Sequence, residues 1–68
     1  MDKISIRAII RNAIINNRVR QYQYVEIMQV LGCSRNKAKQ LYYAFLYNAE
    51  DTFLRNLLSE PGKESMDS

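Results

Sequence analysis

The chain predicts an all-α fold, a small domain of three to four helices, and three observations carry that prediction. Apolar residues recur at helical spacing from Ile6 to Leu58. The residues between the periodic stretches are of the helix-ending kind: Asn16-Asn17, Gly32, Asn48 and Pro61-Gly62. A chain of 68 residues makes one domain with a thin core, because one this short buries only roughly 60% of its unfolded surface. Residues 1–60 are read as the domain, and the small polar residues 61–68 as a disordered tail.

In the first helix Ile6, Ile9, Ile10, Ala13 and Ile14 share one face, with Arg7, Arg11 and Arg18 on the other. The alternation Ile4-Ser5-Ile6-Arg7 leaves a strand open for the first few residues. Asn16-Asn17 is the stop, since asparagine tolerates the left-handed conformation. A connection through Arg18 to Gln21 leads to a second helix, about Tyr22 to Leu31. The third runs from Arg35 to about Tyr47, with Ala38, Leu41, Tyr42 and Phe45 inward and Lys39, Gln40 and Tyr43 pointing elsewhere. Asn48 is expected to end it and to cap a fourth helix that has Glu50 and Asp51 in its first turn. Phe53, Leu54, Leu57 and Leu58 give that helix a narrow apolar stripe, and Pro61-Gly62 ends it.

The hinge Leu31-Gly32-Cys33-Ser34 is the most specific feature. Gly32 falls where a turn needs positive φ, and Ser34 is a good N-cap for the helix that follows. Ile27, Leu31, Cys33, Ala38 and Leu41 fall where the two flanking helices must bury against each other and the rest of the domain. Two short helices joined this way have the layout of a helix-turn-helix, whose second helix enters the DNA major groove. Arg35, Asn36 and Lys37 open that second helix. The unsatisfied backbone N–H groups there repel cations by roughly 0.3–1 kcal/mol each. The fourth helix has Glu50 and Asp51 in the same place, so the departure at the third points to a bound anion. On helical spacing, Ser34, Arg35, Asn36, Lys39, Gln40 and Tyr43 are the side chains that enter a groove. Arg bonds guanine edges bidentately, and Asn or Gln adenine edges. Lys37 and Lys39 are expected on phosphates, and Arg7, Arg11, Arg18 and Arg20 can clamp the flanking backbone or form a solvated surface.

This segment resembles the helix-turn-helix of small bacterial and phage DNA-binding proteins. Leu31-Gly32-Cys33-Ser34-Arg35-Asn36-Lys37-Ala38 is most similar to the excisionase-type and phage-regulator version. The resemblance covers about 20 residues and implies sequence-specific binding of double-stranded DNA, in control of transcription or recombination. The chain departs from that pattern twice. Met28 stands where such motifs usually place alanine, and residues 48–60 have a helical pattern where excisionase-like domains carry a β-hairpin wing.

Charge agrees with a polyanion partner. Residues 1–48 carry eight cations against two anions, +6, and residues 49–68 carry two against five, −3. One cysteine and no histidine preclude an intrachain disulfide and a Cys/His zinc site, so no metal or other cofactor is expected. No nucleophile–base pair, phosphate-binding glycine loop or carboxylate cluster is present, and the chain is read as not an enzyme, with no small-molecule substrate. Nothing resembles a signal peptide or a membrane span, which implies a cytoplasmic protein of a bacterium or a phage-infected host.

So thin a core, with no staple, points to a homodimer, and the stripe Phe53, Leu54, Leu57 and Leu58 is the expected interface, part of it packing back on the first and third helices and the remainder meeting the second copy. Five tyrosines beside cations also fit single-strand stacking, a minor alternative. The serious competitor is a small phage-type helical protein that binds and inhibits a protein partner, since fold does not fix function.

Overall fold

A computed structural model describes residues 5–60, and among them the chain forms four helices and no strand. They are α1 (Ile6–Asn16), α2 (Arg20–Leu31), α3 (Arg35–Leu46) and α4 (Asp51–Ser59). The tail 61–68 expected to be disordered lies outside the described residues. The fold class is the all-α one that the periodicity predicts, and the strand left open at the start is not formed from Ser5 onward.

The core takes residues from all four helices. Ile6, Ile10 and Ala13 come from α1, Tyr24 and Ile27 from α2, Ala38, Leu41 and Tyr42 from α3, and Leu54 from α4. Each large apolar side chain in this set contributes roughly 1.5–3 kcal/mol by leaving water. Leu31, Cys33 and Met28 lie half-buried against the core, so the alanine-to-methionine departure is taken up at the core's edge.

The ends of the helices follow local chemistry. Ser5 caps α1, its Oγ accepting from the Ala8 N–H at 3.2 Å. Gly32 ends α2 at φ 67°, and the N–H groups of Gly32 and Cys33 both reach the Met28 carbonyl, at 2.8 and 3.3 Å. Ser34 caps α3 by accepting from the Lys37 N–H at 3.1 Å. At the other end of α3, Asn48 adopts φ 69°, with Asn48 N–H on the Phe45 carbonyl (2.9 Å) and Ala49 N–H on the Ala44 carbonyl (3.0 Å). That pair of bonds is a Schellman closure, with asparagine where glycine is usual.

Three expectations need correcting. Asn17 stops α1 in an extended conformation, φ −131°, and not a left-handed one. Its side chain takes over the work by donating to the Ala13 carbonyl and to Glu26, both at 2.8 Å. Asn48 ends α3 but does not cap α4; Glu50 occupies that position without a side-chain cap bond. The α4 stripe is mostly an intrachain surface. Leu54 is fully buried, and Leu57 and Leu58 pack against the core, because a nine-residue helix has to seat one whole face to stay docked. Of the four residues expected at a dimer interface, Phe53 alone is exposed.

Candidate nucleic-acid interface

The α2–Gly32–α3 unit presents one outward face of α3. Asn36, Gln40 and Tyr43 follow each other at spacings of four and three, and Arg35, Lys39 and Tyr43 at spacings of four. Ser34, Arg35, Asn36, Gln40 and Tyr43 are exposed, and Lys39 is half-buried along its stem. The side chains of Arg18, Asn36, Lys39 and Gln40 make no hydrogen bond or ion pair with another described residue.

Behind this face lies a cluster of tyrosines. Tyr24 and Tyr42 meet edge to face with centroids 5.2 Å apart, and Tyr42 and Tyr43 do so at 5.7 Å. The Arg20 guanidinium lies 5.7 Å from the Tyr42 ring centre, and that of Arg35 lies 5.7 Å from Tyr24. The Tyr24 hydroxyl donates to that of Tyr43 over a long 3.5 Å. This bond is the leading cause that lowers the Tyr43 phenol below its ordinary range, helped by nearby Arg20 and Lys39, while burial raises Tyr24. Arg20, Arg35, Lys39 and Tyr43 therefore converge from two helices on one patch. Sequence reasoning placed Tyr42 inward but missed that Tyr24 and Tyr42 hold the two arginines. The pairs that meet, Arg20 with Tyr42 and Arg35 with Tyr24, join different helices, so spacing within one helix gives no signal of them.

Among the described residues no carboxylate has a hydrogen bond or ion pair with a residue of this patch. Glu26 is turned to the α1–α2 corner, where its oxygens accept from Asn16 and Asn17 at 3.2 and 2.8 Å. Gln23 completes that corner by donating to the Asn17 carbonyl at 2.8 Å, while its buried Oε1 has no partner among the described residues.

Lys37 does not join the exposed set. It is 7% exposed, and its Nζ donates at 2.8 Å to the Leu57 carbonyl, in the last turn of α4. A cation there satisfies one of the orphan carbonyls and meets the negative end of the α4 dipole. Its place in the first turn of α3 thus has a structural cause, which corrects its expected position on a phosphate. Arg35 is then the first-turn cation left to meet an anion, with Lys39 one turn on. The contrast with α4 also changes, because Asp51 serves α1 as well as its own helix. Its Oδ1 accepts from the Arg7 N–H at 3.0 Å and from Ser5 Oγ at 3.1 Å. The other expected residues stand apart from the patch: Arg18 is exposed in the α1–α2 connection, and the α4 stripe is in or against the core apart from Phe53.

Among the described residues no group of His, Cys, Asp and Glu could hold a metal, and no helix is long and apolar enough to cross a membrane. Comparison of the chain with protein-family models, with curated proteins and with solved structures found no match.

Proposed function

We propose that this chain binds double-stranded DNA sequence-specifically through α3, as a small helix-turn-helix regulator of phage or mobile-element type that controls transcription or recombination. The observation that carries this reading is the convergence of Arg20, Arg35, Lys39 and Tyr43 on one face, with no carboxylate of the described residues bonded to them, beside exposed Asn36 and Gln40. In this reading Arg35, Asn36 and Gln40 meet base edges. Arg18, Arg20, Lys39 and the Tyr43 hydroxyl meet phosphates, which fix the register of the helix on the duplex. Such a protein works in the cytoplasm of a bacterium or of an infected host, and needs no cofactor. The competing reading, inhibition of a protein partner, draws on an apolar groove at the α3–α4 junction and leaves the α3 face without a role.

Fluorescence titration against random and genomic duplexes tests the proposal. Binding is expected at low salt, with log K falling against log salt by about 0.9 for each phosphate neutralised. Arg35→Ala is expected to cost roughly 1–3 kcal/mol on a preferred site and to relax its sequence preference. No binding to any duplex at low salt contradicts the reading.

A further inference from the structure

Behind the exposed face of α3 lies Tyr24, a residue of α2 that is 4% exposed and packs edge to face with Tyr42. Packing in the core asks only for its ring, which phenylalanine would supply as well. The hydroxyl has one partner among the described residues, the hydroxyl of Tyr43 at 3.5 Å, and the ring has the Arg35 guanidinium 5.7 Å from its centre. One buried side chain therefore touches two residues of the exposed face. We propose that Tyr24 is a positioning residue of the interface: its hydroxyl orients Tyr43 as a donor to a phosphate oxygen, and its ring steadies Arg35 for a base edge. Both roles rest on the reading of α3 as the DNA-facing helix.

The direction of the Tyr24–Tyr43 bond decides what Tyr43 can offer. A phenol has one proton to give and an oxygen that accepts. Tyr24 donates to the Tyr43 oxygen, so the Tyr43 proton is left for an acceptor outside, and Tyr43 is 41% exposed. The oxygens of a phosphodiester only accept, which makes them the partner this arrangement suits. The electrostatics agree. The bond from Tyr24 leads the causes that bring the Tyr43 phenol below its ordinary range, against burial and together with Arg20 and Lys39. A more acidic phenol is the stronger donor, and a chain of two hydroxyls polarises in that sense.

Arg35 gains from the other end of the same side chain. It is exposed, and a free arginine gives up rotamer freedom when it takes a bidentate place on a base. A ring beneath the guanidinium restricts it beforehand and leaves the choice of base to Arg35 itself. The two roles are separable, because Tyr24→Phe removes the hydroxyl alone and Tyr24→Leu removes the ring as well.

Two measurements test the assignment. The first needs no DNA: the ring Cζ signals of 13C-labelled tyrosine are followed against pH. The Tyr43 signal, identified by its loss in Tyr43→Phe, is expected to titrate below the ordinary value of about 10 and to move upward in Tyr24→Phe. A Tyr24 that serves packing alone would leave it in place. The second is duplex titration at fixed salt. Tyr24→Phe is expected to weaken preferred and random duplexes alike, about two- to tenfold. In a Tyr43→Phe background it should have no further effect, since it acts through Tyr43. Tyr24→Leu is expected to lower the preference for the best site about two- to fivefold in addition. Circular dichroism checks that each variant is folded, and should Tyr24→Leu unfold, Tyr24→Phe gives the answer. A parent that binds no duplex overturns the DNA reading and this proposal with it. A parent that binds while Tyr24→Phe binds as tightly, while Tyr43 titrates unmoved, or while the two Phe substitutions simply add, overturns the assignment of Tyr24 alone. Preference retained by a folded Tyr24→Leu overturns its part at Arg35.

Discussion

The corner where α1 meets α4 and the face presented by α2 and α3 are both polar, yet their polar groups are employed in opposite ways. At the α1–α4 corner each group has an intrachain partner. Asp51 accepts from the Arg7 N–H and the Ser5 hydroxyl and forms an ion pair with Arg55 at 2.8 Å. The Arg7 guanidinium donates to the Ala49 carbonyl and lies 4.9 Å from the Phe45 ring centre. Lys37 closes the far end of α4 on the Leu57 carbonyl. On the α2–α3 face, Asn36, Lys39 and Gln40 have no such bonds with another described residue, and the guanidinium groups of Arg20 and Arg35 lie over the rings of Tyr42 and Tyr24. Residue type therefore does not separate the two regions. A lysine in the first turn of α3 is structural, while one two positions later projects beside the exposed face.

The contrast between the two regions is tested most strongly at Asp51. Asp51→Ala removes an acceptor for two donors of α1 and the partner of Arg55, and is expected to cost about 2–3 kcal/mol, given ~1.5–3 for hydrogen bonds to a charged group. Binding of DNA per folded molecule should be unaffected. The Arg7 N–H, ahead of the Arg55 and Ser5 bonds, holds the Asp51 carboxyl below the usual carboxylate range. Its contribution is therefore full above the unfolded value of about 4 and is lost as pH falls through the lower folded value. Chemical denaturation from pH 6 to pH 2 should show that loss in the parent chain and not in Asp51→Ala. An equal acid loss in both would assign it to other carboxylates.

A smaller effect is expected at Lys37. Lys37→Met keeps the apolar stem and gives up the bond to Leu57, for about 1–2 kcal/mol of stability by thermal or denaturant unfolding. A variant as stable as the parent would mean that the bond to α4 contributes nothing and would return Lys37 to the set available to a ligand.

The smallest effect belongs to the α3–α4 junction. Asn48→Gly relieves a left-handed asparagine, and is expected to stabilise by a few tenths of a kcal/mol to about 1. Destabilisation there would mean that the asparagine side chain makes a contribution beyond its backbone conformation.

Much of the fold was legible because its determinants are local. The spacing of Ile6, Ile10 and Ala13, the glycine at 32, the serine cap at 34 and the junction at Asn48 act within a few residues of themselves. What sequence reasoning missed depends on contacts distant along the chain. Lys37 and Leu57 are 20 positions apart, and Arg7 and Asp51 are 44. No periodicity in one helix announces that its third residue will end another. The α4 stripe misleads for the same reason, since Phe53 and Leu54 look alike as neighbours until the docking angle buries one and exposes the other. In the candidate interface, the residues on α3 were legible from helical spacing, and the tyrosine support beneath Arg20 and Arg35 was not.

The central claim is that Lys39, and not Lys37, faces the nucleic acid. Measuring the salt dependence of binding to one duplex for the parent, Lys39→Ala and Lys37→Met tests it directly. Lys39→Ala should flatten the slope of log K against log salt by about 0.9, one phosphate contact, and Lys37→Met should leave it unchanged. An unchanged slope for Lys39→Ala, or a slope flattened by Lys37→Met, would contradict the division between the two regions.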